Sequence, residues 1–262
     1  MKKYICLILI AVLVAVLGTS TYFIIDYYKE TNKQAELYEE IASVVDKSET
    51  ENETVEPIQY SEEKTILPEL TELYQQNGDL VGWIGVADTN INYPVMQSIN
   101  EPNFYLKHGF DKQYSDYGCP YVQENCDVQK PSDNIVIYGH HMKNGSMFAH
   151  LEKFKDKDFW NEHRTIIFNT LTDEREYEIV AVFRTAVYND TSDSFKYYRF
   201  VDAENADDFD SYIAKCKELS IYDTGVTAEY GDKLITLSTC EYSRTNGRLV
   251  VVAKLVTEDG HF

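Results

Sequence analysis

Three residues in this chain have the types that a thiol-based acyl transfer needs. Their spacing brings them together if the segments that carry them are strands. Cys240 ends the apolar run Leu234-Ile235-Thr236-Leu237-Ser238-Thr239. Arg248 opens another, Leu249-Val250-Val251-Val252-Ala253. The seven residues between them, Glu241 to Gly247, include Asn246-Gly247, so a hairpin is the economical connection. It would set Cys240 beside Arg248 at one rim of a sheet. A nearby cation favours thiolate over thiol and can hold a developing oxyanion. The everyday alternative for an Arg at a strand start is a surface cation with a buried stem, and Arg244 inside the loop is a competing arginine.

A base is also required. Asn134-Ile135-Val136-Ile137-Tyr138 reads as a further buried strand that leaves through Gly139 into His140 and His141. A histidine at a strand end sits at a rim, where its ring meets water and substrate. The ordinary alternative for either ring is a loop histidine bonded to a carbonyl. A metal reading of His140, His141 and His150 finds no carboxylate or cysteine at a spacing that would complete a ligand set. We therefore expect no metal and no cofactor.

The elements that must position these residues are mostly strands. Beyond the two runs above, extended here to Lys233–Ser238 and Leu249–Val256, and Asn134–Tyr138, the period-two pattern predicts strands at Val81–Val86, Ile91–Met96, Thr165–Asn169 and Glu176–Ala186. Helices are predicted at Leu67–Gln76, Met147–Phe154 and Ala203–Leu219; in the last, Phe209, Tyr212, Ile213 and Cys216 share a face. Many short strands with few helices point to a mostly β fold with added helices, closed or nearly closed into a barrel. The 21 Tyr and 12 Phe suit such a core.

The N-terminus differs from the rest. Lys2 and Lys3 precede Tyr4 to Ile25, which carries no charge; such a run, as a helix rising about 1.5 Å per residue, spans roughly 30 Å, a bilayer core. Lysines before it and Asp26 and Glu30 after it place the N-terminus in the cytoplasm and the remainder outside the cell. A cleaved signal peptide is the rival, but the run exceeds a usual apolar core and Gly18-Thr19-Ser20 fits a cleavage site poorly. The expected organisation is an anchor at 1–25, a linker with a short amphipathic helix (Leu37, Ile41, Val44-Val45) at 26–65, and a catalytic domain at 66–262. Within the linker, Ser48 to Val55 reads as solvated chain. The net charge of −20 argues against a nucleic-acid partner, whose phosphates it would repel. Four of the five cysteines fall outside the apolar run, too few for a disulfide framework; Cys119 and Cys126 are either a pair or two buried thiols.

The run Thr236-Leu237-Ser238-Thr239-Cys240, with Arg248 eight residues on, resembles the TLxTC…R signature of sortases, and Tyr138-Gly139-His140-His141-Met142 resembles their histidine strand end. Gly82-Trp83-Ile84, Asn92-Tyr93-Pro94-Val95 with Gln97, and Asn103-Phe104-Tyr105-Leu106 look like the early barrel of class B sortases. The resemblance covers roughly residues 67–257. It implies an eight-stranded sortase β-barrel with N-terminal helices and a helical insertion near 203–219. It also implies cleavage of a cell-wall sorting signal after Thr, of the Asn-Pro-x-Thr kind, through a thioester. The acyl group would pass from a surface protein bearing that C-terminal signal to an amine of peptidoglycan or its precursor. Carried over by position, Cys240 is the nucleophile, His140 the acid/base and Arg248 the oxyanion or substrate holder, while Tyr138, Ser238 and Glu241 line the substrate groove. His140 is chosen over His141 because it directly follows the glycine.

Of two rival readings the first loses, and only the second stays open. A papain-type hydrolase would place its cysteine at a helix start ahead of its histidine; here His140 precedes Cys240 by 100 residues. A non-enzymatic anchored surface module would keep Cys240 buried and inert.

Overall fold

The computed structural model describes residues 2–50, 58–61, 64–187, 195–243 and 245–256. Residues up to Ser43 form one unit and those from Val44 onward another. Helix α1 (Lys2–Thr50) carries the uncharged run and continues without interruption through Leu37, Ile41 and Val45. The expected separate amphipathic helix is thus the C-terminal part of one long helix, because no Gly or Pro breaks residues 19–50. Ser48 to Thr50, read as solvated linker, are helical, and the rest of that linker up to Val55 lies outside the described residues. Among the described residues one helix has a window apolar enough to cross a membrane, and it is this one.

In the second unit, α2 (Pro68–Gln76) begins on a proline, whose fixed φ suits a first helical turn, and stops at Asn77. Asn77 is buried and satisfied: its amide donates to the Tyr105 hydroxyl and to Phe110 O.

Eight strands follow: β1 (Leu80–Gly85), β2 (Asn92–Met96), β3 (Tyr121–Val122), β4 (Asn134–Tyr138), β5 (Thr165–Thr170), β6 (Glu176–Ala186), β7 (Leu234–Cys240) and β8 (Gly247–Leu255). They close into a barrel in the order β1-β2-β3-β4-β7-β8-β6-β5, with β5 paired back to β1. The fold class expected from the sequence is therefore the one observed. Strand β3 escaped the sequence pattern, because two residues are too few to show a period; it joins β2 through the single parallel pair Met96–Tyr121. Pairing is antiparallel except for β2–β3 and β4–β7.

The stretch Phe148–Lys155 is a 3-10 helix leading into α3 (Lys157–Glu162), which Asp156 caps by accepting from Asp158 N. Helix α4 (Ala206–Leu219) is the expected insertion. Its Phe209, Tyr212, Ile213 and Cys216 bury against Ala181, Phe183, Leu234, Val250 and Val252 of the barrel.

Candidate active site

Two strand pairings assemble the site. β4 and β7 run parallel in the register Tyr138–Ser238, so both reach the same rim and their next residues lie side by side. Gly139 N–H donates to Ser238 O (3.1 Å), and Thr239 Oγ1 donates to Gly139 O (2.8 Å). β7 and β8 form the expected hairpin, in which Cys240 is the direct cross-strand partner of Arg248. His140, Cys240 and Arg248 therefore meet at one rim and line a groove of about 540 Å³. Arg244 lies outside the described residues.

His140 is oriented from behind. Its Nε2 is 2.7 Å from Leu106 O. A carbonyl oxygen can only accept, so Nε2 carries the hydrogen and Nδ1 is left as the basic nitrogen. Burial is the largest influence on this ring and pushes its pKa below the usual histidine range. Lys107 and Arg248 push the same way, while Leu106 O and Asp116 partly oppose them. Arg248 donates one guanidinium N–H to Gly247 O (2.9 Å), which fixes the fork and leaves further donors for the groove it lines.

Cys240 is half-buried, unlike the three other thiols of the second unit, which are buried. No disulfide joins Cys119 to Cys126: their thiols donate separately, to Pro94 O and Asn134 O. Burial raises Cys126 to about 11 and Cys216 to about 12, so neither is a thiolate at neutral pH.

Of the residues expected to bind substrate, Tyr138 and Ser238 line the groove. The Tyr138 hydroxyl donates to Gln123 Oε1, and burial raises its pKa. Ser238 shares a 2.6 Å hydrogen bond with the Tyr197 hydroxyl. Glu241 is not brought to the groove. Its buried carboxylate accepts from Ser243 N–H and Oγ–H and faces Lys155 at 3.8 Å. Burial alone would raise its pKa, but the Ser243 bonds, with Lys155 and Arg184, outweigh that and lower it. The residue after Cys240 thus braces its own loop.

Sequence reasoning missed several groove residues, among them Tyr121, Gln123, Tyr197 and Tyr198. Tyr121 hid in the two-residue β3, and the only trace of Tyr197 and Tyr198 was the aromatic run Phe195-Lys196-Tyr197-Tyr198-Arg199-Phe200. Gln123 amide donates to Tyr198 O (3.1 Å) as its carbonyl receives Tyr138, tying the two groove walls together. His150, the third ring of the metal reading, instead accepts from Asn90 N–H at 2.9 Å. Among the described residues no group of three or more His, Cys, Asp or Glu is placed to hold a metal ion.

Known proteins share this fold. A family model for the sortase domain matches residues 84–256. The chain is 37% identical over 192 residues to sortase B of Listeria monocytogenes, covering 72% of this chain and 75% of that protein. Among solved structures, sortase B from Bacillus anthracis in complex with AAEK1 superposes with a TM-score of 0.72 at 29% identity, covering 88% of this chain and 100% of that one. A Staphylococcus aureus sortase B–substrate complex gives 0.74 at 26% identity, covering 87% and 98%. The closed eight-stranded barrel, its thiol-bearing rim and these likenesses lead to one conclusion: the chain belongs to the sortase family, as a class B-type cysteine transpeptidase acting on proteins that carry a sorting signal.

Proposed function

We propose that Cys240 is the nucleophile of this transpeptidase, His140 its acid/base and Arg248 its oxyanion holder. The substrate is a sorting signal of the Asn-Pro-x-Thr kind and the acceptor an amine of peptidoglycan or its precursor. The observation that supports this best is the register at the rim, Tyr138 beside Ser238 in parallel strands and Cys240 opposite Arg248 across the hairpin. The Cys240 thiolate attacks the Thr carbonyl carbon, and the negative charge that develops on oxygen is met by guanidinium N–H donors of Arg248. The C–N bond breaks as His140, an imidazolium once its Nδ1 has taken the Cys240 thiol proton, passes that proton to the leaving amine, which leaves a thioester on Cys240. The incoming amine then attacks this thioester while neutral His140 takes its proton, and the new amide leaves as Cys240 thiolate is restored. A depressed imidazole pKa favours the neutral form needed in the second half.

Tyr138 and Ser238 form part of the wall against which the signal lies. Glu241 contributes by holding the loop after Cys240. The apolar part of α1 anchors the chain as a single span, with the catalytic unit outside the cell.

The test uses the full chain in detergent, a pentapeptide signal library and an amine, with both products read by mass spectrometry. Asn-Pro-x-Thr peptides should be cut after Thr and joined to the amine, and an acyl adduct on Cys240 should accumulate when no amine is present. Transfer by Cys240→Ala would sink the assignment.

A further inference from the structure

His141, the second ring of the histidine pair, is left without a part in the chemistry above. It does not line the groove. Its Nδ1 lies 3.0 Å from the backbone oxygen of Cys240. Since a carbonyl only accepts, Nδ1 carries the hydrogen and donates it.

The parallel ladder explains why that contact matters. Along a parallel pair the rungs from one strand fall on every second N–H. Gly139 N–H donates to Ser238 O, so the next rung would run from the N–H of residue 141 to Cys240 O. The chain has already turned away by then, because the His140 carbonyl accepts from Phe148 N–H and residue 141 bridges to Met147. The His141 side chain supplies the missing rung. The loop beyond Cys240 is held to the same residue: Tyr242 donates its hydroxyl to His141 O (2.9 Å), and the two rings stand edge to face at 5.0 Å. Glu152 lies 3.9 Å from the same ring nitrogen, and is itself paired with Lys155.

We propose that His141 is a positioning residue, which extends the β4–β7 ladder by one side-chain rung and so fixes the Cys240 backbone relative to His140. This rests on Cys240 being the nucleophile. A nucleophile displaced by a fraction of an ångström binds the peptide as before but reaches the transition state less often, so the loss belongs in kcat and not in KM.

The test compares His141→Phe, which keeps a flat ring against Tyr242 but donates nothing, with His141→Asn, whose amide N–H can stand near the Nδ1 position. Both are made in the full chain in detergent. His141→Phe should lower kcat roughly tenfold with KM changed less than about twofold, while His141→Asn recovers most of that loss at a similar thermal midpoint. Alkylation of Cys240 by a small charged reagent gives a second readout, since the phenyl variant should change its rate and the asparagine variant should not. If His141→Phe does not fold, His141→Ala against His141→Asn carries the same contrast. Wild-type kcat in the phenyl variant, or equal losses in both variants, overturns the proposal. Cys240→Ala run alongside separates the failures: activity there removes the nucleophile itself, whereas an inactive Cys240→Ala beside a fully active His141→Phe removes only the rung.

Discussion

Gly139 is a tightly packed point beside the rim, and Gly139→Ala tests whether the rim geometry governs turnover. A Cβ at this position would lie 2.5, 2.6 and 2.9 Å from Cγ, Cδ2 and Cδ1 of the Phe148 ring. Carbon atoms pack at about 3.5–4.0 Å, so a movement of about 1 Å must be found. Phe148 has little freedom to supply it: the side chain is fully buried, and its N–H is bonded to His140 O at 2.8 Å. Gly139 is held on both sides, by Ser238 O and by the Thr239 hydroxyl. Overpacking of this kind costs about 1–3 kcal/mol. For a chain of this size each kcal/mol lowers the Tm by about 2–4 °C. The larger effect falls on chemistry, because His140 is the next residue and a displacement of about 1 Å costs on the order of 10²-fold in turnover. The assay is kcat/KM for a sorting peptide and an amine, with calorimetry on the same preparation. Adding Phe148→Ala to Gly139→Ala removes all three clashing atoms and should recover about tenfold or more in the folded fraction. Gly139→Ala with wild-type kcat/KM, or a double variant no better than the single one, would refute the link between this contact and the histidine.

The remaining predictions concern the other members of the rim. Arg248→Lys keeps the charge but loses the planar fork, and should lower kcat on the order of 10²-fold without unfolding the protein, as read by steady-state kinetics and circular dichroism. Cys240→Ala should abolish cleavage and transfer, while Cys126→Ala and Cys216→Ala, which remove buried thiols, retain turnover in the folded fraction; a polar alkylating agent should label Cys240 alone among the three. His140 has a folded-state pKa below its unfolded value of about 6.5, so the folded chain binds fewer protons between those two values. The stability it contributes is therefore present above pH of about 6.5 and lost as the pH falls below it. The Tm of the native chain should drop more than that of His140→Gln between about pH 7.5 and 5, and equal drops would contradict the burial of that ring.

Much of the site was legible in the residue order. Strand ends at Tyr138, Cys240 and Arg248 follow from apolar runs bounded by Gly and by a turn, and a period of two survives wherever a strand is long enough to repeat it. The helix at 206–219 was legible for the same reason, since its buried face recurs at helical spacing. The hairpin fixed the Cys240–Arg248 pair because the two strands are neighbours in the chain.

What the order of residues could not contain is any relation between segments distant in it. His140 and Cys240 are 100 positions apart, and only the parallel pairing of β4 with β7 puts them at one rim. Strand β3, too short for a period, and the aromatic wall at Tyr197 and Tyr198 enter the groove through the same closure. The assignment of Glu241 to the groove shows the limit from the other side. Its place next to Cys240 is local, but the direction of its side chain is set by Ser243 and Lys155, and it points into its own loop. By itself the sequence determined which residues end strands and that a thiol, an imidazole and a guanidinium were among them. The tertiary structure decided which of those ends meet, because pairing energy depends on neighbours in space, and these become neighbours only when the barrel closes.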